Sequence, residues 1–163
     1  YAQDHFRKVQ VFRPHNVYGP DMGWKHVTPQ FILRALELAD RNDPNFRIQG
    51  TGEETRAFAY VDDVVDGIIC MYENGNHREI YHIGNDKEVS VLELAAEIGR
   101  AVSHDLTIIP GPMQKGGTPH RCPNINKMRG IGYDPKVNLA EGIARTTTWY
   151  KVNRHLSGAN DLM

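Results

Sequence analysis

The chain has 163 residues, a formal net charge of -1 at neutral pH, and 40% hydrophobic against 24% charged residues. That is one domain's worth of soluble globular protein, and the near-neutral balance argues against an electrostatic nucleic-acid binder. No apolar run approaches the roughly 20 residues of a membrane span, and Cys70 and Cys122 have neither metal-ligand spacing nor the makings of a disulfide framework.

Tyr1 to Lys8 is amphipathic and reads as the last turns of a helix. It feeds Val9–Phe12, an alternating strand with no evident partner elsewhere in the chain. The opening residues form neither a signal nor a transit peptide and lack an initiator Met. The expectation is a cytoplasmic chain that begins inside a longer one. Apolar residues at helical spacing predict a helix from Thr28 to Asp40, with Thr28 as N-cap and Pro29 at the first helical position. Phe46–Gln49 alternates like a strand, Gly50–Glu54 is a turn, and Ala57–Val61 is a second strand. Asp62 or Asp63 is expected to cap a helix running to Asn74-Gly75. Ile80–Ile83 is another strand, and Ser90 with Glu93 forms a capping box ahead of a helix to Val102. Leu106–Ile109 is a short strand, Pro110–Pro123 a long loop, Asn124–Arg129 a brief helix and Leu139–Tyr150 the last helix. The tail at 157–160 is expected to fray. The alternation predicts an α/β protein built on small sheets.

Some residues carry candidate chemistry on their own terms. Arg13-Pro14-His15-Asn16-Val17-Tyr18-Gly19-Pro20 leaves the first strand where open α/β sheets bind ligands, yet is equally an ordinary strand exit. Arg56 follows Gly50-Thr51-Gly52 and can clamp phosphate oxygens or pair with Glu53 or Glu54. Arg47 and Gln49 flank Ile48 on one side of a strand, opposite the core. Adjacent Asp62 and Asp63 suit capping and the helix dipole better than a shared-proton dyad. Tyr18 and Tyr60 read as packing residues. No histidines pair at metal-ligand spacing, so no metal is expected.

Taken in order, Arg-Pro-His-Asn-Val-Tyr-Gly-Pro, Ile-Gln-Gly-Thr-Gly-Glu-Glu-Thr-Arg, Ala-Phe-Ala-Tyr-Val-Asp-Asp-Val, Ile-Tyr-His-Ile-Gly-Asn and Arg-Cys-Pro-Asn-Ile-Asn-Lys resemble the C-terminal half of the NAD-dependent nucleotide-sugar epimerases and dehydratases. These form the extended branch of the short-chain dehydrogenases. The resemblance runs from about Val9 to Tyr150. It implies the substrate-binding part of an extended Rossmann-type dehydrogenase with the N-terminal dinucleotide-binding core absent. Residues 1–20 would be a remnant of the nucleotide-binding sheet, 21–155 a nucleotide-sugar-binding domain and 156–163 a tail.

The same resemblance implies roles. Pro14 and His15 would face the nicotinamide end of NAD, Asn16 and Arg56 the diphosphate, Arg47 and Gln49 the base pocket, and Arg121 ribose or phosphate. His15 and Asn124 depart from the small residue and the Asp usual at their positions. The glycine-rich pyrophosphate loop and Tyr-x-x-x-Lys do not occur in the sequence, so no catalytic residue is assigned and the chain alone is expected to be silent. In the parent enzyme, transient oxidation at sugar C4 would drive epimerisation or 4,6-dehydration. NAD would be held mostly by the other half, and the whole enzyme would be a homodimer. An inactive nucleotide-binding or assembly module is the alternative. The first strand's edge implies a partner, either the missing half or a second copy.

Overall fold

Short strands and helices alternate along the computed structural model, which describes residues 6–112 and 116–157. In chain order they are β1 (Val11–Pro14), β2 (Val17–Tyr18), α1 (Val27–Asp40), β3 (Asn45–Arg47), β4 (Thr55–Ala57), β5 (Ala59–Tyr60), α2 (Val61–Asn74), β6 (Ile80–Ile83), β7 (Glu88–Ser90), α3 (Val91–Val102), β8 (Thr107–Ile109), β9 (His120–Arg121), α4 (Asn126–Arg129) and α5 (Leu139–Asn153), followed by a 3-10 turn at Arg154–Leu156. The strands form three parallel pairs, β1–β6, β2–β5 and β3–β8, and one mixed sheet ordered β7–β4–β9. The architecture is therefore α/β with small mixed sheets. The helical reading of Tyr1–His5 and the tail from 158 onward lie outside the described residues.

Two hydrophobic clusters organise these elements. Helices α1, α3 and α5 pack with β3 around Phe31, Ile32, Leu36, Phe46, Leu94, Ile98 and Tyr150. Complete burial of Leu94 and Ile98 contributes about 1.5–3 kcal/mol each. Helix α3 starts as its sequence predicts. The Ser90 hydroxyl accepts from the Glu93 N–H at 3.0 Å, and the Glu93 carboxylate accepts from the Ser90 N–H at 2.7 Å. The second cluster joins α2, β6 and α4 around Tyr81, Ile83, Met128 and Tyr133.

Several local expectations are corrected. The first strand is not partnerless, because β1 pairs along its length with β6, Val11 opposite Ile80 and Pro14 opposite Ile83. That partner is remote in sequence, so local patterning could not reveal it. Its other edge has no strand beside it among the described residues. His26, not Thr28, is the N-cap of α1; Thr28 lies inside the helix and is buried. The Ala57–Val61 strand is two short pieces that change sheets at Phe58. Neither Asp62 nor Asp63 caps α2, whose N-cap is Tyr60. Asp63 is buried and accepts from the backbone N–H groups of Lys136 and Val137 at 2.9 and 3.0 Å, fastening the loop that enters α5. Asp62 instead pairs with Arg145 on α5 at 3.2 Å. Both carboxylates still occupy the first turn, where the helix dipole favours them.

Tyr18 and Tyr60 do pack, edge to face with ring centroids 5.5 Å apart. Burial raises the Tyr18 hydroxyl pKa well above its ordinary value, and neighbouring Tyr60 and Asp63 add to the effect. The ring is seated against Gly142 of α5, where any Cβ would collide with the Tyr18 hydroxyl. This contact brings the Asn16–Gly19 segment and α5 together.

Candidate functional site

The mixed sheet places two arginines side by side. β4 is its central strand, and the parallel register with β9 sets Arg56 directly opposite Arg121. Register partners on neighbouring strands stand ~4.8 Å apart and project from the same face. Among the described residues the Arg56 guanidinium donates to backbone carbonyls alone, Thr55 at 2.6 Å and Pro119 at 3.3 Å. Neither arginine has a carboxylate partner among the described residues. Two adjacent cations without counter-charge form a surface suited to a dianion.

The glycine turn lies beside them. Gln49, Gly50, Glu54, Arg56, Val91, Gly117 and Thr118 line a cleft of about 150 Å³. Gly50 and Gly52 adopt φ of 80° and 86°, the left-handed region open to glycine. Glu54 does not neutralise Arg56; its carboxylate folds back and accepts from the Gly52 N–H at 2.9 Å. The Gly52 carbonyl in turn accepts from the Leu92 N–H at 3.0 Å, tying the turn to the start of α3.

Asn16 reaches this region from the first strand. It sits at φ 42°, and its side-chain amide donates to the Ala57 carbonyl at 3.1 Å, one residue beyond Arg56. Its own carbonyl accepts from the Ala59 N–H at 3.1 Å. One amide N–H is thus engaged in the fold, while the second N–H and Oδ1 have no partner among the described residues. Pro14 and His15 lie at the carboxyl end of the parallel β1–β6 pair, where open sheets take ligands. The His15 N–H donates to the Ile83 carbonyl at 3.0 Å, and its Nε2 is 2.6 Å from His82 Nδ1. Burial, then His82 and Arg13, lower the His15 pKa below its ordinary value of 6.5. Gly84 permits this closeness, since a Cβ there would press on His15 and Pro123 at 3.1 and 3.2 Å.

The structure therefore gathers Gln49, Arg56 and Arg121, with Asn16 adjoining through Ala57. Arg47 is exposed on β3 and lines neither of the clefts that Gln49 lines. The β3 strand ends at Arg47, two residues earlier than its pattern predicts, although Phe46 and Ile48 remain buried and Arg47 and Gln49 exposed. Helix α4 starts at Asn126 with Ile125 as its N-cap, two residues later than expected, and Asn124 lies ahead of it, its Oδ1 accepting from the Asn126 N–H at 2.9 Å. Sequence reasoning missed Gly117 and Thr118, which lie in a loop without periodicity. It also missed Arg34, whose one signal was a cation within the apolar run Phe31–Leu36. Among the described residues no group of three His, Cys, Asp or Glu side chains is placed to hold a metal ion, and no helix is long and apolar enough to cross a membrane.

A parallel β1–β6 pair with a crossover helix α2, joined to a separate glycine-turn and arginine sheet, is the arrangement of an extended Rossmann-type enzyme's C-terminal portion. The profile described as "NAD dependent epimerase/dehydratase family" matches residues 1–84, and the chain belongs to that family. It is similar to the dTDP-D-glucose 4,6-dehydratase of Bos taurus, 35% identical over 156 residues, which cover 90% of this chain and 42% of the relative. Among solved structures it resembles the UDP-glucose 4-epimerase of Thermotoga maritima with UDP-glucose, at TM-score 0.76 and 30% identity over 89% of this chain and 46% of that one. It also resembles the dTDP-glucose 4,6-dehydratase of Streptomyces venezuelae with NAD bound, at TM-score 0.76 and 30% identity over 91% and 45%. The chain spans less than half the length of these relatives.

Proposed function

We propose that this chain is the nucleotide-sugar-binding portion of an NAD-dependent epimerase or dehydratase. The observation that carries the reading is the Arg56–Arg121 register pair, two arginines opposite each other on neighbouring strands with no carboxylate partner among the described residues. In this reading Arg56, Arg121 and the second Nδ2–H of Asn16 donate to the diphosphate and its ribose end, while Gln49 and Arg47 flank the base. Residues 21–155 form the substrate domain. Residues 1–20 form the cofactor-side seam, with α2, β6 and α4 packed beside it.

Pro14 and His15 offer NAD one edge of a site at the carboxyl ends of two parallel strands. They fit the nicotinamide end but supply no pyrophosphate loop. NAD, when bound, takes and returns the hydride in C4 oxidation and reduction. The residues here position the substrate for that exchange, in which a misplacement of about 1 Å costs on the order of a hundredfold in rate. The sequence contains no Tyr-x-x-x-Lys to move the sugar proton, so this chain alone is silent and needs the segment that carries it.

The open edge of β1 supports a partner strand, with Val11 at 46% and Phe12 at 42% exposure. That partner is the cofactor-binding half, and the completed enzyme is a homodimer. A clean, stable monomer on size-exclusion chromatography counts against the edge having a partner. The site itself is tested by isothermal titration with UDP, dTDP, CDP and GDP. Saturable binding that Arg56→Ala abolishes is expected. No binding by any of them, even with the cofactor-binding half supplied, overturns the assignment.

A further inference from the structure

Arg34 stands in a second cleft that shares Gln49 with the arginine site. This cleft, of about 470 Å³, is lined by Gln30, Phe31, Leu33, Arg34, Glu37 and Gln49. The guanidinium lies 4.2 Å from the Phe46 ring centroid and 5.1 Å from that of Phe31. Its Nε is buried and unpartnered, and no hydrogen bond or ion pair engages the group among the described residues. A buried donor without an acceptor is costly, and in Arg34 that donor is Nε alone. Burial accordingly lowers its pKa. Glu37, one helical turn on, accepts from Arg41 through one carboxylate oxygen at 2.6 Å, and the other has no partner among the described residues.

We infer that Arg34 reads the nucleobase and selects guanine. The inference rests on the nucleotide-site reading above and names the base end of that site. Gln49 forms the common wall, so a nucleotide with its phosphates at Arg56 and Arg121 directs its base toward Arg34. Guanine presents the adjacent acceptors O6 and N7, the pair a guanidinium fork matches in bidentate fashion. Its N1–H and N2–H2 donors suit the free oxygen of Glu37. Adenine and cytosine place an amino donor where Arg34 needs an acceptor. Uracil and thymine place a single carbonyl there, leaving part of the fork unmatched. A site built to hydrogen-bond one edge rejects bases that lack it, because its buried donors are left unpaired.

The test is titration of the chain with GDP, UDP, dTDP and CDP in three forms: unaltered, Arg34→Met and Arg34→Lys. Met keeps the stem's packing on Phe46, and Lys keeps the charge without the fork. The expected result is GDP binding tighter than each pyrimidine diphosphate by about tenfold or more. Both substitutions should abolish that preference while changing UDP affinity less than twofold, with each variant's thermal midpoint confirming that it folds. A pyrimidine diphosphate binding as tightly as GDP, or an equal loss for all four, overturns the base assignment and leaves the phosphate site standing. Binding by none of the four overturns the site and the base assignment together.

Discussion

Arg121→Ala separates a binding role from a structural one because the two roles predict opposite signs. Arg121 stands opposite Arg56 on adjoining parallel strands and has no hydrogen-bond or ion-pair partner among the described residues. For any two like charges on a wet face, Coulomb repulsion is roughly 0.7 kcal/mol at a separation of about 6 Å. Removing Arg121 relieves that repulsion and breaks no side-chain hydrogen bond or ion pair among the described residues. The fold should therefore be unchanged to within about 0.5 kcal/mol, or slightly more stable. A diphosphate bridging the two arginines would lose a charge-assisted hydrogen bond of about 1.5–3 kcal/mol, a fall of roughly 10- to 150-fold in affinity. Urea denaturation gives the first quantity and titration calorimetry with a nucleoside diphosphate the second, at low and high salt because the contact is screened. A stability loss above about 1 kcal/mol with unchanged affinity refutes the reasoning and makes Arg121 a strand residue only.

Asp63→Ala leaves two backbone donors, Lys136 N–H and Val137 N–H, without their buried acceptor. At about 1–3 kcal/mol for each unsatisfied group, a loss of about 3 kcal/mol is expected in urea denaturation. A loss below about 1 kcal/mol would mean the loop relaxes onto water. Gly142→Ala sets a methyl against the Tyr18 hydroxyl and should cost about 1–3 kcal/mol from overpacking. Gly142→Ala combined with Tyr18→Phe should recover part of that loss, and failure to recover any would show that the strain lies elsewhere. His15 has its pKa lowered below 6.5 by burial, His82 and Arg13. The unfolded chain therefore binds a proton before the folded one does. The resulting stability is present above pH 6.5 and is lost as pH falls through the lower folded value. Thermal midpoints from pH 8 to 5 should decline more steeply for the unaltered chain than for His15→Asn, and parallel profiles would contradict the assignment.

Local chemistry was legible where a few neighbouring residues determine the outcome. The Ser90–Glu93 capping box closes reciprocally, and the Ile80–Ile83 strand has the bounds its β-branched pattern predicts. Thr28 failed as a cap because the chain enters α1 two residues earlier, through His26 and Val27, and buries the threonine instead. The ladders were not legible. β9 is two residues in a Gly- and Pro-rich loop and exists because β4 is there to receive it. Gln49, Arg56 and Arg121 could be named as candidates from the sequence, but their adjacency depends on that ladder. Arg34 shows the limit plainly. A cation in an amphipathic helix normally points to water, and only the packing of α1 on β3 buries its Nε over Phe46.

The Arg13–Pro20 segment links these observations. Parallel strands are ordinarily covered on both faces, yet β1 is exposed along its whole length and Ile80 beside it is 41% exposed. Val65, Ile69 and Tyr72 also stand exposed on α2 at helical spacing. Exposure of this kind on a parallel pair supports the proposal that further polypeptide completes the sheet. The opposite side of the segment is already finished. Asn16 is fastened to Ala57 and Tyr18 to Tyr60 and Gly142, while Arg56, next to Ala57 on β4, meets Arg121 through the β4–β9 ladder. Closure of the sheet against a cofactor-binding half would then fix Pro14 and His15 relative to the proposed substrate site. A displacement at the β1 edge would reach the arginines through Asn16, so sheet completion and substrate positioning would be mechanically coupled.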